Sequence, residues 1–296
     1  MDTLSHALIA VIILLAAGLP GFIPFAVIGA VILDADIFFP FISDRSPRLY
    51  VFTHGGITHS FAGALILSVP AFLVIGVVRA TGFVPSPLFA EYGIAAFLIM
   101  VAAAFLHLFI DFLACPGIPI LAPFSDRKYT PGILPGPSVL VTCASVGILV
   151  PVIMNRVPII TALTLYAVIV VLYLACRMGA FLFAAVILPG RRVPMINPFR
   201  WLVITENDAA FTIRYYTVFR GFKGAEVIEK FKNTDAREIQ PYLDMPEVRR
   251  LKFNSYIMTV EKNRSSLVFQ DPLRGKGYVW YPHKFREVII SIKDVR

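Results

Sequence analysis

Residues 7–33 read ALIAVIILLAAGLPGFIPFAVIGAVIL, a run of 27 residues that carries no charge and is interrupted at Pro20-Gly21 and again at Pro24. How this run folds decides the architecture of the N-terminal half. One kinked helix would be roughly 40 Å long. It would place His6 and Asp34, which flank the run, on opposite faces of a membrane whose hydrocarbon core is about 30 Å thick. A re-entrant helical hairpin turning at Pro20-Gly21 returns both residues to one face. Its half-length arms then need protein over the turn to cover the open backbone. The hairpin is the preferred reading, because it alone lets His6 join the other ionisable groups of the apolar sequence.

Those groups form short polar islands: His6, Asp34-Ala35-Asp36, His54 with His59, and His107 with Asp111. They include four of the chain's five histidines. Ionisable side chains at the edge of a membrane segment are expensive, so several together mark a site. Neutral imidazoles with carboxylates are the donor set that zinc, manganese or iron selects.

Composition sets the class. Of the 296 residues 57% are hydrophobic and 16% charged, with a mean hydropathy of +0.76, where a soluble chain has about 25% charged residues. The chain reads as an integral membrane protein. Charge divides it in two: the first 189 residues hold seven of the 27 Lys/Arg and seven of the 19 Asp/Glu, so the whole net charge of +8 falls in the last third. This gives a membrane domain over 1–190 and a basic cytoplasmic α+β domain over 191–296. Membrane lipid is the expected partner, since each Lys or Arg near an anionic surface contributes about 1 kcal/mol. No nucleic-acid recognition motif is present. Cys115, Cys143 and Cys176 lack metal-binding or disulfide spacing and read as core-filling residues. The N-terminus has no basic segment of a cleavable signal and reads as mature sequence.

After the hairpin, a polar loop from Asp34 to about Ile57 delivers His54 and His59 to a span over Phe61–Val78, and a second span covers Tyr92–Leu113. The two run antiparallel, so His59 and the His107-x-x-x-Asp111 pair return to one face, and residues four apart project from the same side of a helix. A Pro- and Gly-rich loop follows, ending in Ser125-Asp126-Arg127-Lys128. Further spans at Ser138–Ile153 and Ile159–Leu188 bring the total to about four transmembrane helices beyond the hairpin. The last contains Arg177, which snorkels near the span's end or marks a break. Arg45, Arg48, Arg127, Lys128, Arg191, Arg192 and Arg200 fall on the site's side, against Arg79 and Arg156 on the other. The positive-inside rule makes the site's side cytoplasmic and the location a cell (inner) membrane.

From Pro198 a small soluble α+β domain begins. Strands are expected at Trp201–Thr205 and Phe211–Phe219 around a turn at 206–209, then a helix from Asp235 to Leu243. Strands near Lys252–Val260, Ser266–Gln270 and Arg286–Ile292 follow. His283 reads as structural.

The start at Met1 to His6, Leu33-Asp34-Ala35-Asp36, Thr53-His54-Gly55-Gly56-Ile57-Thr58-His59-Ser60, His107-x-x-x-Asp111 and Pro123-Phe124-Ser125 together resemble the YdjM/YbcI family of membrane-bound metal-dependent hydrolases, which is grouped with zinc-dependent phospholipase C. Two positions depart from the family's habit: Leu33 stands where Pro commonly precedes Asp-x-Asp, and Gly55 where Arg commonly follows the histidine.

His6, Asp34, Asp36, His54, His59, His107 and Asp111 form the expected metal-ligand set. Seven donors exceed one tetrahedral shell and so suit two zinc ions, with manganese or iron as alternatives. Such a pair fits phosphoester cleavage, of a lipid-linked substrate given a site at the bilayer edge. Asp36 and Asp111 are the candidate catalytic carboxylates, with Asp2 a further candidate base. Ser125, Arg127 and Lys128 are candidates to touch substrate. The competing readings are a non-catalytic membrane scaffold with a structural metal, whose basic domain binds lipid or protein, and an ion or proton pathway.

Overall fold

The run at 7–33 is a helical hairpin. The computed structural model describes residues 2–84, 87–136, 138–279 and 285–292. In it helix α1 (Thr3–Ala16) and helix α2 (Ile23–Val31) flank a turn in which Pro20–Phe22 form one 3-10 turn. Asp2 caps α1 by accepting from the Ser5 amide, satisfying a donor that the helix itself leaves open. Pro24 falls in the first turn of α2, where a missing N–H costs nothing. Ala10, Leu14, Ala26 and Ala30 close the hairpin against Ala103.

A 3-10 run, Ile32–Phe38, continues from α2 into α3 (Pro40–Arg45). Then come α4 (Phe61–Ala80), α5 (Ile94–Phe112), α6 (Val139–Ile153) and α7 (Ile159–Ile187). Among the described residues four stretches are long and apolar enough to cross a membrane: Pro20–Arg45, α4, α5 and α7. The span expected at Ser138–Ile153 is helical, but its 15 residues fall short of the roughly 20 that a bilayer core requires. Helix α7 runs unbroken through Arg177, which is buried with its Nε donating to the Tyr173 hydroxyl at 3.2 Å. The alternatives of a break or a snorkelling side chain are therefore both set aside. Cys115 is buried, whereas Cys143 and Cys176 lie on exposed faces of α6 and α7 instead of filling a core.

Two features fix the hairpin in place. Gly29 lets α2 approach α5 so closely that a Cβ there would lie 2.0 Å from the Met100 carbonyl oxygen. A buried polar ladder also joins α1 to α6 and α7. Ser5 Oγ donates to Asp2 at 2.5 Å and lies 3.0 Å from Ser145 Oγ. Ser145 Oγ is in turn 2.8 Å from the Tyr166 hydroxyl, and Thr142 donates to Asp2 at 2.7 Å. In an apolar surround each of these groups needs its partner, so the ladder specifies one packing of α1.

The chain forms two compact units. The first comprises Met1–Pro40 with Phe52–Gly179, and the second Phe41–Val51 with Ala180–Arg296. In the second, β1 (Arg191–Pro194), β2 (Arg200–Glu206), β3 (Ala210–Thr217) and β4 (Gly221–Glu229) form an antiparallel sheet in sequence order. Trp201, Val203 and Tyr216 of this sheet pack on Ala180, Ala184 and Leu188. The Arg192 guanidinium donates to the Ala184, Ala185 and Leu188 carbonyls, which satisfies the end of α7.

A second sheet follows: β5 (Phe231–Lys232), β6 (Thr259–Lys262), β7 (Ser266–Gln270) and β8 (Glu287–Ser291), with β5 parallel to β6 and the rest antiparallel. The helix expected at 235–243 is the short α8 (Ala236–Ile239) followed by a 3-10 turn at Gln240–Tyr242. Where a strand was expected from Lys252, the chain instead completes α9 (Pro246–Asn254), and the strand begins only at Thr259. Pro246 opens this helix, and Val248 and Leu251, three residues apart, bury one face of it on the second sheet.

Helix α9 also holds the excursion Phe41–Val51. Tyr50 meets the Phe253 ring edge-on at 5.3 Å, Arg249 lies over Tyr50, and Arg250 donates to the Ser43 carbonyl. The short α10 (Pro272–Gly275) carries Arg274, whose Nε donates at 3.0 Å to Asp271 in a fully buried pair. His283 lies outside the described residues.

Candidate metal centre

The polar islands converge within the first unit. His59 ends a 3-10 turn (Ile57–His59) just before Ser60 caps α4. His107 and Asp111 project from one side of α5, and Asp34 lies on the 3-10 run that follows α2. His107 Nδ1 lies 2.6 Å from the Ala30 carbonyl oxygen, so this bond turns the ring's Nε2 inward.

Two carboxylate oxygens then face a pair of imidazole nitrogens. His59 Nε2 and His107 Nε2 are 3.2 Å apart. Asp34 Oδ1 lies 3.5 and 3.6 Å from them, and Asp111 Oδ2 lies 3.5 and 3.4 Å from them. A tetrahedral ion with bonds of about 2.0–2.1 Å separates its donors by about 3.3–3.4 Å. The two imidazole nitrogens thus lie at about that edge length from each other and from each carboxylate oxygen, and Asp34, His59 and His107 form a donor group that fits a metal.

His6 brings a fifth donor. It is buried, its ring stacks on His107 with centroids 3.8 Å apart, and its Nε2 lies 3.3 Å from Asp111 Oδ1, the oxygen that the four-atom set leaves out. Among the described residues, neither ring nitrogen of His6 makes a hydrogen bond. A buried imidazole whose polar contact is a single carboxylate oxygen outside hydrogen-bond geometry is placed to ligate.

Asp36 and His54 stand differently. Asp36 is fully buried, and both of its oxygens are engaged. Oδ1 lies 2.6 Å from His54 Nδ1, while Oδ2 accepts from the Gly55 amide at 3.0 Å and from Thr58 Oγ1 at 2.5 Å and lies 3.1 Å from His59 Nδ1. Gly55 donates from a left-handed backbone with φ +69°, which glycine adopts without strain. The His54 side chain is 43% exposed. The seven residues together make three overlapping groups able to hold a metal ion: His6, His107 and Asp111; Asp34, His59 and His107; and Asp36, His54 and His59.

Two threonines that sequence reasoning left without a role hold the carboxylates: Thr3 Oγ1 donates to Asp34 Oδ2 at 2.6 Å, and Thr58 to Asp36. Both stand inside the motif stretches, three and one residues from a histidine, and that adjacency was the available signal. Ser125, Arg127 and Lys128 were the expected substrate contacts. Ser125 Oγ accepts from the Arg127 amide, the Arg127 guanidinium lies over Tyr129, and none of the three lines the cavity beside Asp34.

Neither a curated protein nor a solved structure matches this chain. The family model for the YdjM inner membrane protein matches residues 1–183, a stretch that contains the hairpin, α4 to α6, most of α7 and all seven converging residues. The chain therefore belongs to the YdjM inner membrane protein family and is a membrane protein with histidine and aspartate clusters able to hold metal.

Proposed function

We propose that this chain is a membrane-bound metal-dependent hydrolase that cleaves a phosphoester at the cytoplasmic edge of the membrane. The observation that supports this reading is the approach of Asp34 Oδ1 and Asp111 Oδ2 to His59 Nε2 and His107 Nε2, with the buried His6 stacked on His107 beside them. Asp34, His59 and His107 would hold a first ion. His6, His107 and Asp111 form a further group that would hold a second ion. Zinc fits the nitrogen and oxygen donors, and manganese or iron is the alternative. Divalent ions in such a centre supply a nucleophile from water near neutral pH and stabilise the leaving oxygen.

The chain's own residues supply orientation and proton handling. Asp36 fixes His59 through Nδ1 and so presents Nε2 to the centre. The same carboxylate holds His54 through Nδ1, which leaves His54 Nε2, on the exposed side chain, as the atom that exchanges a proton with substrate. The hairpin is re-entrant in this reading, and Arg45, Arg48, Arg127 and Lys128 on the site's side, against Arg79 and Arg156, make that side cytoplasmic. The C-terminal unit, with most of the chain's Lys and Arg, belongs to the same compartment.

A second reading has its own support. A site whose donors all come from the protein, as these histidine and aspartate groups do, is also the habit of a structural ion. A non-catalytic scaffold whose basic C-terminal unit binds lipid or protein would use the metal in that way. Elemental analysis of the full-length protein in detergent, with a panel of phosphomonoesters and phosphodiesters before and after chelation, separates the two. Metal-dependent turnover that is lost in His59→Ala supports the hydrolase. Full metal content without turnover of any ester favours the scaffold, and metal stoichiometry retained in His59→Ala sinks the centre itself.

A further inference from the structure

Beside the metal centre lies a cavity of about 450 Å³, a volume suited to a headgroup and the first part of a chain. Its polar wall is Asp34, His54 and Thr3, so it reaches the centre through Asp34, whose other oxygen Thr3 holds. Its second wall is apolar: Val31, Ile32, Ile37 and Phe38. Ile37 and Phe38 are 64% and 73% exposed, although they follow directly on Asp36 in a stretch apolar enough to enter a membrane. Asp2 also borders the cavity, but the Ser5 amide, Ser5 Oγ and Thr142 Oγ1 all donate to its carboxylate. With carboxylates on the polar wall, a phosphate group enters only against bound metal.

We infer that this cavity takes a single-headed membrane amphiphile, a phosphoester carrying an alkyl or prenyl chain, with its phosphate at Asp34 and His54 and its first methylenes along Ile37 and Phe38. A small water-soluble phosphoester would leave the apolar wall uncovered. A chain-bearing ester covers it and reaches the cavity from the apolar side without leaving the lipid. The inference rests on the hydrolase reading for the word ester, and on the cavity alone for the chain.

The test uses full-length protein in nanodiscs, loaded with cobalt(II) so that ligation is read from its visible spectrum without turnover. The probes are ethylphosphonate and octylphosphonate, with empty nanodiscs as the partition control. Burial of even a few methylenes predicts octylphosphonate half-saturating at about tenfold lower concentration or less. That gain should vanish in the Ile37→Ser/Phe38→Ser variant, while ethylphosphonate titrates alike in both proteins. Equal half-saturation for the two probes, a gain retained in the variant, or no spectral response to either probe overturns the inference. A chain-length gain that disappears in the variant, in a protein that turns over no ester in the panel above, leaves the inference standing and removes the hydrolase reading.

Discussion

His59 Nε2 and His107 Nε2 face each other across 3.2 Å, although one ring belongs to the turn before α4 and the other to α5. Two imidazole nitrogens hold such an approach only with a proton or a cation between them. His107→Ala should therefore lose metal on dialysis, with content falling to background, while the protein still purifies as a folded membrane protein. Metal analysis paired with circular dichroism checks this, and a variant with unchanged metal content would exclude His107 as a ligand.

Asp36→Asn separates orientation from ligation. Because both Asp36 oxygens are already engaged by His54, Gly55, Thr58 and His59, the change should weaken metal affinity about 10–100-fold without lowering the stoichiometry at saturating metal. Asp34→Asn should instead lower the stoichiometry. Competition with a chelator of known affinity distinguishes the two outcomes.

Gly29→Ala tests how α2 seats against α5. The added Cβ would meet the Met100 carbonyl oxygen at 2.0 Å, so α2 must shift and take the Ala30 carbonyl away from His107 Nδ1. A loss of about 1–3 kcal/mol is expected for such overpacking, read as a lowered melting temperature in detergent, together with weakened metal binding. The surface change Gly147→Ala, where a Cβ meets nothing within 4 Å, serves as the control.

In the second unit, Tyr278 donates to the Glu226 carboxylate, which also pairs with Lys276. That bond pushes the phenol up to about 12, against about 10 in an unfolded chain. The unfolded state loses the proton first, so this contribution is present below about pH 10 and is lost as pH rises toward 12. The difference in tyrosinate absorbance between wild type and Tyr278→Phe should show a late transition, and Glu226→Gln should bring it down.

The parts of the fold that could be read from sequence were those with a strong local signal. Pro20-Gly21 and Pro24 mark the hairpin turn, and apolar runs bounded by Ser60, Arg79 and Asp111 mark α4 and α5. Helix α9 was hidden because Lys252-Phe253-Asn254 continues toward a β-rich stretch, and the buried pair that defines the helix, Val248 and Leu251, lies upstream. Length limited the reading of α6, where apolarity alone cannot distinguish a span from a short packed helix. At the site, residue types and spacing selected the histidines and aspartates. They could not tell Asp34, whose Oδ1 is turned toward two imidazoles, from Asp36, whose oxygens are consumed by hydrogen bonds. That distinction arises from the fold of the turn at Gly55 and from Thr58, and no periodicity encodes it.

The excursion Phe41–Val51 sets an order of events during synthesis. It lies between Asp36 and His54, yet its packing partners Arg249, Arg250 and Phe253 are made some two hundred residues later. Such long-range contacts close late. The stretch joining the second polar island to the third thus remains without these contacts until residues 249–253 have been made, and a chain that stops at residue 183, where the family match ends, would never acquire them.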